Sequence, residues 1–252
     1  MLSQEVFSDK LIKIFDIIII SHITKNITEL LMDVKTALAE RKSTRAFLNE
    51  DVSINVINQI INQAKTAPSG VNTQPWQVAV LTGESKDGLC RKLEKAFRDG
   101  KKGAMDYKYY PVEWLGEYKQ RRKDCGLLMY STLDIKREDK QKQLDQWALN
   151  YQAFNAPVIL LFFIDKSMEK GSYMDYGMFL QSIMLSAVEH GLATCPQAAL
   201  GEYPEIVRQE FPHYNNKIVL CGMAVGYEDK TKVINSYRTP REDLSQIVQY
   251  YS

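Results

Sequence analysis

The amino-acid sequence predicts a layered domain of the α/β or α+β class. Apolar runs typical of strands occur at residues 77–81, 158–164 and 217–224, and segments with helical periodicity separate them. Helical segments outnumber strands, which favours a sheet covered by helices. A chain of 252 residues, 45% of them hydrophobic, is long enough to bury one core.

Residues 1–27 are interpreted as an extension that precedes a single domain at residues 28–252. The apolar run at residues 11–20 is interrupted by charged side chains and is too short to span a bilayer. No small-residue cleavage site of a signal peptide follows this run. Thr28 is a candidate N-cap for a first helix that ends near Arg41.

The middle of the chain contains three further helical patterns. Ser53 is predicted to cap a helix whose isoleucines form one apolar stripe. A polar helix is expected over residues 85–98 and closed by Gly100. Residues 101–124 are rich in Lys, Arg, Tyr and Gly and are interpreted as an excursion over the core, which leads into a helical pattern over residues 138–153.

The second half of the chain supplies most of the expected sheet. The continuous apolar run at residues 158–164 indicates a strand buried on both faces. The helical segment at residues 176–189 is apolar nearly all round, which is typical of a helix in a core or an interface. A short strand at residues 193–195 and another at residues 217–224 complete the sheet.

Charge and cysteine content narrow the classes of function. The 32 basic and 31 acidic residues balance, so no overall field favours a nucleic acid or an anionic membrane as a partner. The four cysteines and three histidines show no metal-ligand spacing, so no metal site is expected. Scattered free thiols suit a reducing compartment, which predicts a cytoplasmic protein.

A polar loop at residues 67–76 lies between a predicted helix and a predicted strand. Two prolines and a glycine oppose regular structure, while Ser69, Asn72 and Gln74 supply short hydrogen-bonding side chains. Such a loop suits a flat ligand with polar edges, although taken alone it better fits an ordinary connection between a helix and a strand. Trp76, which closes it, is interpreted as a core residue.

A cationic segment lies upstream, at residues 41–47. Arg41, Ser43 and Arg45 alternate along it, so an extended backbone would point all three to one side. Two guanidinium groups and a hydroxyl fit a phosphate group, because arginine binds phosphate through paired hydrogen bonds. The alternative is a solvated basic end of a helix, where cations complement the helix dipole.

In their order and spacing, the two segments resemble the FMN-dependent nitroreductase family, and more closely its nitrobenzoate-reductase-like branch. The resemblance runs from about Met32 to the C-terminus. It implies an α+β fold with a central, mainly antiparallel sheet flanked by helices, and an intimate homodimer with C-terminal strand exchange. Four further stretches fit the same pattern, at residues 155–157, 175–181, 191–199 and 221–227.

The resemblance implies that bound FMN carries the chemistry and that no side chain is itself catalytic. NADH or NADPH would serve as reductant and a nitroaromatic, a quinone or a related small molecule as electron acceptor, in ping-pong order. Alternatives on the same fold are dehydrogenation, reductive dehalogenation and non-catalytic flavin binding. A thiol hydrolase or transferase that uses Cys195 with His190 or His213 is a further alternative.

The resemblance also implies the flavin ligands. Arg45 is assigned to the flavin pyrimidine, where its charge would stabilise the reduced form. Arg241 would replace a late basic residue that better-known enterobacterial members carry where Ser236 stands. The expected ligands from one chain are Arg41, Lys42, Ser43, Arg45, Asn150, Pro196, Gln197, Ala198, Ala199, Arg238 and Arg241, and those from its partner are Pro68, Ser69, Gly70 and Asn72.

Three groups keep open interpretations. The basic run at residues 121–123 is either a solvated helix face or a contact for a nicotinamide 2′-phosphate. The C-terminal residues 244–252 are apolar and strand-prone, and in relatives this segment adds a strand to the partner's sheet. The aromatic residues that either line a substrate mouth or cover the core are Tyr107, Tyr109, Tyr110 and Trp114.

Overall fold

The computed structural model describes residues 32–252. The chain divides into two units, of which the first ends at Glu40 and includes helix α1 (Val34–Glu40), and the second begins at Arg41. The predicted N-cap Thr28 lies outside the described residues, and the extension at residues 1–27 stays a prediction. Within the described range, no helix is both long enough and apolar enough to cross a membrane.

The second unit carries a four-stranded antiparallel sheet in the order β1-β2-β4-β3, which confirms the predicted α+β class. Short 3-10 turns join several elements. The strands are β1 (Gln77–Leu81), β2 (Val158–Asp165), β3 (Ala193–Gln197) and β4 (Lys217–Gly226). The helices are α2 (Ile54–Ala64), α3 (Gly83–Arg98), α4 (Gly116–Thr132), α5 (Lys140–Ala148), α6 (Lys170–Glu189) and α7 (Pro204–Glu210).

The central strand β2 is buried on both faces, as its continuous apolar sequence predicts. Because successive side chains of a strand point to opposite faces, the sheet separates two apolar layers. On one face Ile159, Leu161 and Phe163 pack with apolar residues of α3 and α7. On the other face, the intervening residues of β2 pack with α2 and α6 and form the second apolar layer.

The helix α2 and Trp76, the last residue of the polar loop, agree with the prediction from the sequence. The Ser53 hydroxyl accepts a hydrogen bond from the amide of Asn55 at 3.3 Å, which confirms the N-cap. Trp76 packs against the second apolar layer, and its ring stacks on Phe179 at a centroid distance of 4.9 Å. The interpretation of Trp76 as a core residue is confirmed.

Several predicted element limits are wrong. The helix α4, which begins inside the expected excursion, has no buried residue, so its sequence carries no apolar periodicity that marks a helix. The helix α6 begins at Lys170 rather than at residue 176, and α5 is shorter than residues 138–153. Near the C-terminus, Leu244–Gln246 forms a single 3-10 turn. Pairing of the C-terminal segment with a partner stays a prediction.

Candidate functional site

The cationic segment at residues 41–47 is extended and lies along the outer edge of β3. Ser43 forms a parallel bridge with Thr194, and the amide of the next residue donates to the Thr194 carbonyl at 3.0 Å. Farther along, Phe47 pairs with Glu228, just beyond the end of β4. The alternative of a basic helix end is therefore wrong, because the segment extends the sheet edge instead.

Alternate side chains of this segment diverge, as an extended backbone requires. The Lys42 ammonium lies 2.7 Å from the Glu228 carboxylate and donates to the Asn235 carbonyl at 2.6 Å. These contacts tie Lys42 to the chain itself. The assignment of Lys42 as a flavin ligand stays a prediction that these contacts do not support.

Arg41 lies in a cluster with two arginines from the C-terminal part of the chain. Burial lowers the pKa of Arg41, and the nearby charges of Arg241 and then Arg238 lower it further. Arginine nevertheless stays charged at neutral pH, so the three guanidinium groups repel one another. A bound anion would offset this repulsion. Arg41, a candidate phosphate ligand from the sequence, thus lies near Arg238 and Arg241, whose roles the resemblance implies.

Arg45 is oriented on the same side of the segment as Arg41. Its Nη1 donates to the Ser43 carbonyl and to the Tyr237 hydroxyl, both at 3.3 Å. The charges of Arg45 and Arg41 both act on the Cys195 thiol. The alternation inferred from the sequence therefore gathers these two cations beside β3.

Cys195 itself is a poor nucleophile in this environment. Burial raises the pKa of its thiol to about 11, although Arg45, a hydrogen bond from Ser43 and Arg41 partly oppose the rise. At neutral pH the thiol is protonated, and only the thiolate attacks efficiently. The alternative of a thiol hydrolase or transferase loses its chemical basis.

The end of β3 presents unpaired polar atoms. Gln197 is buried and donates through Nε2 to the Asn150 carbonyl at 2.8 Å, while its Oε1 has no hydrogen-bond partner. The buried Thr44 Oγ1 also lacks one. A buried polar atom without a partner destabilises the protein, so both atoms are available to a bound polar group. After Gln197 the chain forms the short turn Ala198–Gly201.

The polar loop is built by its own hydrogen bonds and by α6. Ser69 Oγ accepts from the Gln74 amide at 3.0 Å, and the Gly70 amide donates to Asp175 Oδ2 on α6 at 3.1 Å. Val71 and Asn72 have φ values of 46° and 59°, a conformation that non-glycine residues rarely adopt. The polar loop is expected to contact a flavin held by a partner chain, and this contact stays a prediction. The residues expected to make it are Pro68, Ser69, Gly70 and Asn72.

The aromatic residues of the excursion divide between the two interpretations. Tyr107 covers the core, because its ring packs on the second apolar layer and its hydroxyl donates to the Leu220 carbonyl at 2.9 Å. Tyr109 and Tyr110 are exposed. On α4, Arg121 pairs with acidic side chains, which is typical of a solvated helix face.

Sequence reasoning missed the residues that hold the cationic segment in place. The most prominent is Asn235, a buried residue that bonds to Arg45, Ala46 and Lys42. Tyr237, whose hydroxyl accepts from Arg45, is another. The only sequence signal is their place just ahead of Arg238, because no periodicity identifies a buried asparagine in a loop.

The residues present fit flavin mononucleotide. Its phosphate carries negative charge, which the repelling guanidinium groups of Arg41, Arg238 and Arg241 would neutralise. Its ring has polar edges, which match the unpaired Gln197 Oε1 at the end of β3. A neutral or cationic ligand would not relieve the repulsion among the arginines.

Comparison with known proteins agrees with this assignment. A sequence model described as the nitroreductase family matches residues 38–227. The chain is 37% identical over 210 residues to a 4-nitrobenzoate reductase from Pseudomonas putida, a match that covers 83% of this chain and 92% of that protein.

Two solved structures also match the chain over most of its length. One is an FMN- and NADPH-dependent nitroreductase, NfnB, from Sphigopyxis sp. strain HMH, with 34% identity, a TM-score of 0.85 and coverage of 88% of this chain and 100% of that chain. Another is the FMN-dependent nitroreductase NfnB from Mycobacterium smegmatis in complex with NADPH, with 30% identity, a TM-score of 0.82 and coverage of 87% and 100%. The predicted resemblance is confirmed, and the chain belongs to the nitroreductase family.

Proposed function

We propose that this protein is an FMN-dependent NAD(P)H oxidoreductase that reduces nitroaromatic compounds, quinones or related acceptors. The observation that carries the proposal is the charge of Arg238 and Arg241 near Arg41, at the start of the cationic segment that borders β3, in a chain of the nitroreductase family. The FMN- and NADPH-dependent relatives and the 4-nitrobenzoate reductase support it.

In this proposal the protein binds and orients the reactants, and the mechanism needs little acid–base chemistry from its side chains. Bound FMN would supply the chemistry of hydride and electron transfer between NADH or NADPH and the acceptor. Arg41, Arg238 and Arg241 would hold its phosphate by charge-assisted hydrogen bonds. Arg45, fixed by Ser43 and Tyr237, places a positive charge where the reduced ring gathers negative charge.

A second chain is part of the proposed site. Val71 at the tip of the polar loop is 97% exposed, and on α6 Met174 and Met178 are 74% and 40% exposed. Large apolar side chains gathered on one surface are typical of an interface. A homodimer would cover them and bring the loop to the partner's flavin. The four free cysteines support a cytoplasmic location.

The absorbance of the purified protein tests the proposal. We expect a yellow protein with the absorption bands of a bound flavin. Without oxygen, NADH or NADPH should bleach this colour, and 4-nitrobenzoate or menadione should then restore it. The matched control is Arg41→Ala, which removes one phosphate ligand and should leave most of the protein colourless.

Each possible result distinguishes between alternatives. A colourless wild-type protein that takes up no added FMN would overturn the proposal. A yellow protein that neither nucleotide bleaches would support the non-catalytic alternative instead. Bleaching that only a halogenated aromatic acceptor reverses would favour reductive dehalogenation.

A further inference from the structure

Asn235 lies where the cationic segment meets the turn that leads to Arg238. It is 4% exposed, and it ends the 3-10 turn Val233–Asn235. A buried amide is costly unless its polar atoms are paired. Neither the sequence pattern nor the resemblance assigns this residue a role.

The hydrogen bonds of Asn235 join parts of the chain that are about 190 positions apart. Its Oδ1 accepts from the Arg45 amide at 2.8 Å, and its Nδ2 donates to the Ala46 carbonyl at 2.9 Å. The same Nδ2 donates to the Asp229 carbonyl at 3.0 Å, and the Asn235 carbonyl accepts from Lys42 at 2.6 Å. One residue therefore bonds to the cationic segment at Lys42, Arg45 and Ala46.

The charges at this junction act against close packing of the two segments. The charges of Arg241 and Arg238 act unfavourably on Arg41, which burial also disfavours. Before an anion binds, this repulsion favours separation of the cationic segment from the C-terminal turn. The bonds of Asn235 cross the same junction and oppose that separation. Both of its amide hydrogens are donated to protein carbonyls, so its role is exerted through other residues.

We propose that Asn235 is a positioning residue for the phosphate site. It holds Arg41, at the start of the cationic segment, and Arg238, which follows the turn, together as ligands of one phosphate group. The inference rests on the proposed function, because it takes the phosphate to be that of FMN. It extends that function by naming the residue that organises the site before the ligand arrives.

The test compares FMN with riboflavin, which has the same ring and no phosphate. Asn235→Ala removes three side-chain hydrogen bonds, and the matched control Asn216→Ala alters an exposed asparagine in another turn. Fluorescence titration of the flavin-free proteins gives both dissociation constants. We expect Asn235→Ala to weaken FMN binding by about tenfold or more and riboflavin binding by less than about threefold. Asn216→Ala should change neither.

Folding is monitored by circular dichroism. If Asn235→Ala does not fold, Asn235→Ser decides, because it adds no charge and its single hydroxyl cannot donate to the Ala46 and Asp229 carbonyls at once. An equal loss of FMN and riboflavin binding, or no loss, would overturn the positioning role. If wild-type protein binds FMN no more tightly than riboflavin, the phosphate site itself is wrong. A wild-type preference that both variants retain removes only the role of Asn235.

Discussion

At the scale of single residues, Arg45 and Arg41 have different surroundings and therefore different expected tasks. Arg41 lies near the like charges of Arg238 and Arg241, so a bound anion would stabilise its charged form most strongly. Arg45 is oriented by the Ser43 carbonyl and the Tyr237 hydroxyl, which fix the direction of its guanidinium group. A fixed cation stabilises charge that develops during reduction more than it stabilises the neutral oxidised ring.

Replacing Arg45 by alanine should therefore lower the midpoint potential of the bound flavin. Charge-assisted hydrogen bonds contribute about 1.5–3 kcal/mol, which for a two-electron couple corresponds to a decrease of about 30–60 mV. The measurement is a spectroscopic redox titration beside wild type, with Arg45→Lys as the control that keeps the charge. Full flavin occupancy with an unchanged midpoint would remove Arg45 from this role.

At the scale of elements, the turn Ala198–Gly201 depends on a close approach to β4. A Cβ added to Gly222 would lie 2.5 Å from Leu200 Cδ1 and 2.8 Å from Leu200 Cβ. Real side chains do not approach so closely, so the turn must move away from the sheet. Because the turn follows Gln197, its displacement would disturb the end of β3 that carries the candidate site.

Gly222→Ala should lower the free energy of unfolding by about 1–3 kcal/mol, the usual range for overpacking of a core. It should also weaken flavin binding, since Leu200 adjoins two predicted ligands, Ala198 and Ala199. Urea unfolding and FMN titration measure the two effects. Gly126→Ala on α4 is the control, because an added Cβ there meets nothing within 4 Å. Equal stability of the two variants would contradict the close approach.

The elements that sequence reasoning identified are those with a local signal. The helix α2 and the strand β2 show periodic or continuous apolar patterns, and the structure confirms them. The helix α4 has no buried face, so its sequence resembles that of a loop. The cationic segment and the polar loop were identifiable from residue type and spacing. The role of Asn235 was not, because it arises from contacts with Arg45 and Ala46, which are distant in sequence.

At the scale of the whole molecule, exposed apolar residues near the C-terminus predict that the protein forms a homodimer. Tyr250 and Tyr251 are 84% and 92% exposed in the single chain, and the preceding Ile247 is exposed as well. Exposed apolar side chains that lie together are typical of a surface that another protein covers. A second subunit would bury them and complete the edge of its sheet.

Deleting residues 245–252 should weaken the dimer and release FMN, although the deletion removes no assigned flavin ligand. The reason is that each proposed site contains residues from both chains, so dissociation opens it. Analytical ultracentrifugation and absorbance measure the two losses together. Gln249→Ala serves as the control that keeps the apolar side chains. A truncated protein that remains dimeric and yellow would refute this expectation.

The central claim is that each flavin site combines the cationic segment of one chain with the polar loop of its partner. Arg41→Ala and Asn72→Ala impair opposite halves of such a site, and each variant alone should bind FMN poorly. Mixing and reassembling the two variants should restore about a quarter of all sites in a two-fold dimer that exchanges at random, because each mixed dimer has one intact site. Recovery of flavin binding only on mixing is the predicted result. No recovery in a mixture shown to contain mixed dimers, or full binding by a monomer, would contradict the claim.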